Sequence, residues 1–448
     1  MDQILRDKML ARMDEVRGQV AERDELIEVI AIALLTRKNV FILGDTGQAK
    51  SYAVNLFRAG ITGARQFERL MSKQTDEEAL FGRLDLSSLI PGGVPEEVLE
   101  RDAQYQGMRQ ALETRLISGS ETAPLVEEMK VRREALAEVH GGEPRLILKG
   151  KIPDSHICFL DELFKANDGI LNALLTVLNE RRYTNEGKTI GIPTISFFSA
   201  SNELPDFSDP EAQILKPLYD RFELKVVTEY VEDRDARLAV LKQKQSRQGP
   251  SAPAAVISLE ELESMQADVR AAAIPDSVNE LMDDVLCALR SKGIHVSDRK
   301  YFGYAPIVQA KAWLEGRGIV EPRDLIILRH YLWTAPGERA AVRDLLERMC
   351  TDPLNERLNN ILASALESYK DFEDAAGAPA ARRIGKLRDE YLRLYEQLEQ
   401  LRASTQSEAD REKLGGCLAE LEGHSRKAHE AVRFAYAPLS ELYQLKAG

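Results

Sequence analysis

Short apolar runs alternate with longer amphipathic segments in the first half of the chain. Residues 40–43 (VFIL) form one such run, which ends at Gly44, and a segment with helical spacing begins near Lys50. An apolar run bounded by turn residues is typical of a strand buried on both faces of a parallel sheet. The order strand, glycine-containing loop and helix predicts the first unit of an α/β sheet. Upstream, apolar residues at helical spacing predict a helix over residues 1–36.

Two further runs predict additional strands of the same sheet. Residues 157–160 form an apolar run followed by two acidic residues, and residues 194–200 form a third run. A helix over residues 168–180 is predicted between them. The alternating stretch 182–192, which contains an Asn-Glu-Gly turn, predicts a β-hairpin.

The remaining segments are predicted to be helical. Residues 94–140 are rich in Glu and Arg and predict two helices inserted between sheet elements. Residues 246–255 have the composition of a linker, and residues 258–350 after it are predicted to form helices. After a second linker at 375–380, six apolar residues recur three and four apart as a heptad seam: Ile384, Leu387, Tyr391, Leu394, Leu398 and Leu401. The stretch 410–437 is predicted to fold back on this seam as an antiparallel hairpin.

These patterns predict three parts in a chain of 448 residues. Residues 1–245 form an α/β core, a parallel sheet flanked by helices, with the helical insertion at about 94–140 and the hairpin at about 182–194. Residues 256–350 form an all-α lid. Residues 351–448 form a C-terminal helical hairpin or coiled-coil arm.

The chain is acidic, with a formal net charge of −13 and a pI of about 5.2. A surface that binds duplex nucleic acid needs a basic face, so this balance disfavours nucleic acid as a partner. The four cysteines are scattered and form no CxxC pair, which favours reduced thiols. We find neither an apolar leader nor a stretch of roughly 18 apolar residues. We therefore expect a cytoplasmic protein without a membrane span.

The loop after the first strand carries the strongest chemical signal. It resembles the phosphate-binding loop in its eight residues, Gly44, Asp45, Thr46, Gly47, Gln48, Ala49, Lys50 and Ser51. The glycines would let backbone N–H groups surround the phosphates of ATP, Lys50 would neutralise phosphate oxygens, and the Ser51 hydroxyl would bind Mg²⁺. Ala49 stands where the motif usually has glycine. The alternative is a plain strand-to-helix turn.

Two acidic residues and an amide follow the other predicted strands. Asp161 would lie beside the metal, and Glu162 would polarise the water that attacks the γ-phosphate. Asn202, which closes the third strand, would orient the same water. In isolation the acidic pair is also typical of a solvated loop, and Asn202 of a turn or a helix cap.

Two arginines have positions from which they could act on phosphate. Arg221 lies in the segment Leu218–Phe222 (LYDRF), and an arginine supplied from a neighbouring subunit stabilises transition-state charge in ring ATPases. A surface salt bridge with Asp220 is the alternative. Arg299 lies in the first turn of a predicted helix after the cap Ser297, from which it could reach the γ-phosphate from the lid. An ordinary surface arginine is its alternative.

Together these motifs resemble the MoxR branch of the AAA+ ATPases and, within it, the RavA-type proteins. The similarity covers roughly residues 20–335, and RavA-type proteins also have alanine before the lysine of the loop. The segments that carry it are residues 41–44 through Lys50 and Ser51, then 80–82 (LFG), 159–166 (FLDELFKA), 174–181 (LLTVLNER), 200–205 (ASNELP), 218–222 (LYDRF) and 297–299 (SDR).

The resemblance implies a role for each candidate residue. Lys50 and Ser51 correspond to Walker A, Asp161 and Glu162 to Walker B, Asn202 to sensor 1, Arg221 to the arginine finger and Arg299 to sensor 2. It implies hexameric rings with ATP and Mg²⁺ between subunits, and a second inserted hairpin facing the pore at 84–153. The insertion at 94–140 is longer than expected there, and no strand pattern follows residue 350.

The resemblance favours an ATP-driven motor that remodels or chaperones protein clients, often with a protein that has a von Willebrand factor A domain. One alternative is a nucleic-acid motor or loader similar to MCM, since basic residues flank both hairpins: Arg181, Arg182 and Lys188, and Arg145, Lys149 and Lys151. The acidic balance argues against it. A third hypothesis is a nucleotide-gated scaffold with little hydrolysis, which the complete set of acidic, amide and arginine residues disfavours.

Overall fold

A parallel sheet of five strands organises the first half of the molecule. The computed structural model describes residues 2–85, 87, 90, 93–118, 121–140, 146–185, 188–207, 209, 212–245, 253–375, 377, 379–404 and 408–447. The strand order is β10-β1-β9-β6-β3, and every pair is parallel. The strands are β1 Val40–Leu43, β3 Gln66–Leu70, β6 Ile157–Asp161, β9 Ser196–Ser201 and β10 Leu224–Val227.

Because the strands are parallel, all of them begin at one edge of the sheet and end at the other. We call these the amino edge and the carboxyl edge. Asn39 precedes β1 at the amino edge, and Gly44 follows it at the carboxyl edge. The two residues are separated by the length of the strand, about 16 Å at the rise of extended backbone.

Six short strands form three separate two-stranded pairs. β2 (Ile61–Thr62) pairs with β11 (Ile257–Ser258) in parallel. β4 (Arg83–Leu84) pairs with β5 (Leu146–Ile147) in antiparallel fashion, and the inserted helices lie between these two strands in the chain. The predicted hairpin is confirmed as β7 (Arg182–Asn185) and β8 (Lys188–Gly191); the two residues of its turn, 186 and 187, lie outside the described residues.

Thirteen helices accompany these strands in the part of the chain that the structure describes. They are α1 Gln3–Arg17, α2 Asp24–Thr36, α3 Lys50–Ala59, α4 Glu77–Phe81, α5 Glu96–Arg101, α6 Ala103–Ser118, α7 Ala123–His140, α8 Asp168–Glu180, α9 Lys216–Tyr219, α10 Arg234–Gln245, α11 Leu259–Arg270, α13 Asp298–Phe302 and α14 Ala305–Leu314. The single helix predicted over 1–36 is wrong, because Glu22 has a left-handed backbone (φ 51°) and the chain turns between α1 and α2. The insertion contains the two predicted helices and an additional short one, α5.

Apolar residues from the sheet and from α8 form the core on one face of the sheet. Phe41 on β1 and Phe197 on β9 pack with Leu174 and Val177 of α8, and all four are fully buried. Burying a side chain of this size contributes about 1.5–3 kcal/mol. Helix α2 is buried over most of its surface, as expected for a helix with apolar residues all round.

The chain forms two compact units. The first comprises residues 1–274, 297–320 and 330–334, and it therefore includes Arg299; the second comprises residues 275–296, 321–329 and 335–448. Helices of the second unit are α12 Asp276–Ser291, α15 Arg339–Thr351, α16 Pro353–Asp374, α17 Ala380–Ser404, α18 Glu408–Ala431 and α19 Leu439–Ala447. Short 3₁₀ helices cover Ile152–Asp154, Leu163–Lys165, Ala212–Leu215, Pro322–His330 and Pro336–Glu338.

The predicted heptad seam is buried inside the second unit. Ile384, Leu387, Tyr391 and Leu398 of α17 are buried against α18, which returns along α17 as predicted. Helix α16 also packs on both, so the arrangement is a three-helix bundle and not an isolated hairpin. Among the described residues, no helix is both long and apolar enough to cross a membrane.

Candidate nucleotide site

The loop between β1 and α3 has the backbone of an anion-binding turn. Gly47 and Ala49 both have left-handed backbones (φ 85° and 59°), and α3 begins directly afterwards at Lys50. A Cβ atom on Gly44 would overlap the side chains of Thr228 and Gln48, so only glycine fits there. The helix amino terminus and the turned loop together favour negative charge at this position.

Lys50 is held at the carboxyl edge by oxygen atoms of two strand ends. Its Nζ donates to Asn202 Oδ1 at 2.8 Å, to the carbonyl of Ser201 at 3.3 Å and to the carbonyls of Gly44 and Asp45. The side chain is only 7% exposed. Burial lowers the pKa of Lys50, and the charges of Glu162 and Asp161 partly offset that effect.

The acidic pair lies beside this lysine, as predicted. Asp161 is the last residue of β6, and burial together with the neighbouring charge of Glu162 raises the pKa of its carboxyl. Glu162 has a left-handed backbone (φ 54°), and its Oε2 lies 3.4 Å from Ser201 Oγ, whose shorter bond goes to the carbonyl of Glu203 at 2.8 Å. Lys165 forms an ion pair with Glu162 Oε2 at 3.4 Å.

Asn202 connects the phosphate loop to the end of β9. Its Oδ1 accepts from Lys50, and its Nδ2 donates to Thr46 Oγ1 at 2.9 Å. The amide therefore contacts the loop at two points, and the residue before it, Ser201, lies 3.4 Å from Glu162. All predicted residues from Gly44 to Ser51, together with Asp161, Glu162 and Asn202, are thus brought to one edge of the sheet.

The side chains at this edge suit a hard divalent cation. The half-buried carboxyl of Asp161 ends β6, and Ser51 lies in the first turn of α3. Carboxylate and hydroxyl oxygens are the ligands that Mg²⁺ prefers, and the ion keeps several waters. The raised pKa of Asp161 marks a carboxylate whose charge lacks full compensation, which a cation would supply.

Three residues that sequence analysis did not identify hold the loop in place. Arg23 is buried, and it donates to the carbonyl of Gln48 at 3.0 Å and to that of Glu229 at 2.8 Å. Thr228, just after β10, donates to Gln48 Oε1 at 2.7 Å. Tyr230 is exposed, and its hydroxyl bonds the Asp45 carboxylate, which raises the pKa of that tyrosine. No local sequence motif predicts these contacts, because they join segments far apart in the chain.

Arg221 lies at the amino edge, on the opposite side of the sheet from Lys50. It comes three residues before β10, and its carbonyl accepts from Asn39 Nδ2 at 2.9 Å, directly before β1. Its Nε atom is buried and has no hydrogen-bond partner among the described residues. Arg221 and Asp220, both described, form no ion pair, so the salt-bridge alternative is not supported.

The helix that carries Arg299 and the segment that carries Arg221 both bond Thr334. The next residue of α13, Lys300, donates to the carbonyl of Trp333 at 2.8 Å and to Thr334 Oγ1 at 3.3 Å. Tyr219, two residues before Arg221, donates to the carbonyl of Thr334 at 3.0 Å. The Arg299 side chain is exposed, and the described residues offer it no hydrogen bond or ion pair.

Of the described basic residues around the two hairpins, Arg181, Lys149 and Lys151 contact other parts of the chain, whereas Arg182 is exposed. Arg181 is largely buried with its guanidinium 4.8 Å over the ring of Phe197. Lys149 pairs with Glu100 at 2.8 Å, and Lys151 donates to the carbonyl of Ala79 at 3.1 Å. Arg145 and the side chain of Lys188 lie outside the described residues.

Comparisons with known proteins agree with this geometry. Residues 7–100 and 132–267 match the family described as the MoxR domain in the MoxR-vWA-beta-propeller ternary systems, and residues 276–346 match an AAA lid domain. The gap in the first match, residues 101–131, covers helix α6 and the first half of α7.

Two similar proteins of Methanocaldococcus jannaschii are uncharacterized. One is 28% identical over 383 residues, which is 86% of this chain and 84% of that protein; the other is 29% identical over 330 residues, or 72% and 71%. The crystal structure of a provisionally named ATPase from Cytophaga hutchinsonii has a TM-score of 0.53 at 16% identity, covering 77% of this chain and 94% of that one. This last similarity shows the fold alone.

The family match covers just over half of the chain, and the fold has the parallel sheet, the lid and the phosphate loop of the family. None of the matches distinguishes a RavA-type protein, so that subtype stays a prediction. The chain belongs to the MoxR family of AAA+ ATPases.

Proposed function

We propose that this protein binds ATP with Mg²⁺ and hydrolyses it at interfaces between subunits of a homohexameric ring, and that it uses the energy to remodel or chaperone protein clients. The observation that carries the proposal is the separation of two sets of residues. Lys50, Glu162 and Asn202 meet at the carboxyl edge, whereas Arg221 is held at the amino edge. A complete hydrolytic site therefore needs residues from two copies of the chain.

The carboxyl edge provides binding and activation of water. The loop N–H groups and Lys50 would hold the phosphates of ATP, and Ser51 and Asp161 would hold the Mg²⁺, which neutralises charge on the phosphates when bound. Glu162 would accept a proton from a water that Asn202 orients. That water attacks the γ-phosphorus, the bond to the bridging oxygen breaks, and ADP and phosphate leave.

The amino edge would supply positive charge to the neighbour. The Arg221 Nε has no hydrogen-bond partner among the described residues, and Arg299 is exposed on a helix whose Lys300 bonds the same residue, Thr334, as Tyr219. Arginine placed against the transferring phosphoryl group stabilises its transition-state charge, often as the largest single contribution. We infer that both arginines act on the nucleotide of the adjacent subunit.

For partners, we favour protein over nucleic acid. The net charge of −13 disfavours a phosphate backbone as partner, and Arg181, Lys149 and Lys151 are already engaged in contacts within the chain. The matching family is described from systems that contain a von Willebrand factor A protein, and we propose such a partner here.

Steady-state ATP hydrolysis against protein concentration, with the mass of the assembly measured alongside, tests this proposal. We expect turnover per subunit to rise as rings form and to be lost in Glu162→Gln, which still binds ATP. Glu260→Gln, an exposed glutamate of the same unit, should behave as wild type. If wild type binds ATP but hydrolyses it no faster than Glu162→Gln at any assembly state, the protein is a nucleotide-gated scaffold and not a motor.

A further inference from the structure

Asn39 joins three segments of the amino edge through one buried side chain. It is 3% exposed and lies directly before β1. Its Nδ2 donates to the carbonyl of Arg221 at 2.9 Å, while its Oδ1 accepts from Arg181 Nη2 at 2.7 Å and from the backbone N–H of Phe197 at 3.2 Å. The amide therefore connects the residue before the β7–β8 hairpin to the proposed arginine finger.

Arg181 forms the base of that hairpin. It has a left-handed backbone (φ 53°) between α8 and β7, and its carbonyl accepts from the N–H of Ile192 at 2.7 Å, which closes the hairpin. Burial lowers the pKa of its guanidinium to about 10, and its Nη1 has no hydrogen-bond partner among the residues described. Its Nη2 also donates to the carbonyls of Ile195 at 3.4 Å and Arg37 at 3.5 Å, so the 2.7 Å bond to Asn39 is the shortest of three hydrogen bonds.

The bond from Asn39 to Arg221 fixes the backbone from which the finger extends. Glu223 accepts from the N–H of Asn39 at 3.1 Å, and the N–H of Leu224 donates to the Asn39 carbonyl at 3.1 Å. An apolar residue at position 39 would leave both the Arg181 guanidinium and the Arg221 carbonyl without this partner. Such paired donors and acceptors make the relative position of the two segments specific.

We propose that Asn39 is a positioning residue that couples the β7–β8 hairpin to Arg221, so that displacement of the hairpin changes hydrolysis in the neighbouring subunit. The inference rests on the proposed function, in which Arg221 acts on the neighbour's nucleotide. It adds a route by which whatever contacts the hairpin adjusts the rate of hydrolysis.

Asn39→Asp separates the bond to Arg221 from the bonds to Arg181 and Phe197. The carboxylate retains the acceptor for Arg181 and Phe197 but loses the donor to Arg221. We expect kcat to fall about tenfold with the KM for ATP unchanged, because a small misplacement of a catalytic group affects the transition state alone. Lys38→Met removes the adjacent 3.1 Å ion pair with Glu223 but no Asn39 side-chain bond, and should change kcat less than about twofold.

A double-mutant cycle with the hairpin tests the coupling itself. Tyr183 anchors β7 by stacking on Phe81, with ring centroids 4.5 Å apart, and by a 2.9 Å bond to Glu77. Tyr183→Ala should change kcat at least about threefold in the native background and less than about 1.5-fold with Asn39→Asp. If Tyr183→Ala does not fold, Tyr183→Phe is used in its place, since it keeps the ring and removes the hydroxyl that bonds Glu77. Equal effects in both backgrounds, or none in the native one, would overturn the proposal.

Hydrogen–deuterium exchange separates this outcome from failure of the proposed function. In the native background the Tyr183 variant should accelerate exchange of the segment 218–223, and with Asn39→Asp it should not. This readout needs no turnover, so it stands even if wild type proves no faster than Glu162→Gln. Unchanged exchange at 218–223 in the native background contradicts the coupling regardless of the hydrolysis result.

Discussion

The two edges of the parallel sheet differ in how fully their polar side chains are satisfied. At the carboxyl edge, Asn202 accepts from Lys50 and donates to Thr46, and Arg23 donates to the carbonyl of Gln48 in the loop. At the amino edge, Arg221 has a buried nitrogen without a described partner, and Arg299 projects into solvent. Buried polar groups are normally paired, and we propose that the nucleotide of an adjacent subunit completes the bonding of the Arg221 guanidinium.

Under the proposed function, this difference explains how one chain could carry all the hydrolytic residues and still need a second copy to complete the site. The carboxyl edge is organised before anything binds. The amino edge is held in position by the bonds of Asn39 to the Arg221 carbonyl and of Tyr219 to the Thr334 carbonyl, while the Arg299 side chain is exposed. Each copy would supply one edge to each of two interfaces.

The largest effect on kcat should come from Arg221 at the amino edge. Arg221→Ala should lower kcat by about 10³-fold or more, since an arginine finger contributes on that scale, while the affinity for ATP changes little. Comparison of kcat with equilibrium binding of a fluorescent ATP analogue measures this. Arg270→Ala, an exposed arginine of the same unit, is the control. A variant that loses ATP binding as well would place Arg221 in its own nucleotide site.

A smaller effect, on the affinity for ATP and not on kcat, should come from Arg23 at the carboxyl edge. Arg23→Lys keeps the charge but loses the fork that reaches both Gln48 and Glu229. We expect about tenfold weaker binding of ATP, and kcat at saturating ATP within about threefold of wild type. Titration with ATP followed by saturated turnover checks both values. A loss of kcat without a loss of affinity would show that the two edges are not separable in this way.

The smallest effect concerns stability and its dependence on pH. The folded pKa of Asp161 is raised, so the folded state binds more protons there than the unfolded state between the two pKa values. Its destabilising contribution therefore appears as pH rises from the unfolded pKa through the folded one. Asp161→Asn should raise Tm by about 2 °C at pH 7.5, and the gain should shrink toward pH 4.

Thermal melts of wild type and Asp161→Asn across this pH range test that prediction. Asp168→Asn, which changes an exposed aspartate at the start of α8, serves as the control. If the gain is the same at pH 4 and pH 7.5, the charge of Asp161 is not its origin. Loss of magnesium-dependent nucleotide binding should accompany the substitution, because the carboxylate is the proposed ligand.

The elements with strong local patterns were predictable from sequence, and the two outer strands of the sheet were not. Strands β1, β6 and β9 are central and read as continuous apolar runs. The outer strands β3 and β10 went unpredicted because polar residues interrupt them: β3 is QFERL, largely exposed, and β10 contains Lys225. Neither strand therefore reads as the continuous apolar run that marks the central strands.

The same distinction applies to the candidate site. The loop 44–51 and the acidic pair were predictable because each is contiguous in sequence. Arg23, Thr228 and Asn39 were not, because each acts through contacts with segments well over a hundred residues away. The separation of Arg221 from Lys50 also required the sheet, since only the parallel order places them at opposite edges.

Mixing two inactive variants tests the central claim most directly. Glu162→Gln lacks the water-activating residue and Arg221→Ala lacks the finger, so each alone should form inactive rings. If the two edges act across an interface, an Arg221→Ala subunit beside a Glu162→Gln subunit has an intact site, and the mixture should regain hydrolysis that varies with the mixing ratio. A mixture that forms mixed rings, as shown by mass, and stays inactive at every ratio would contradict the account.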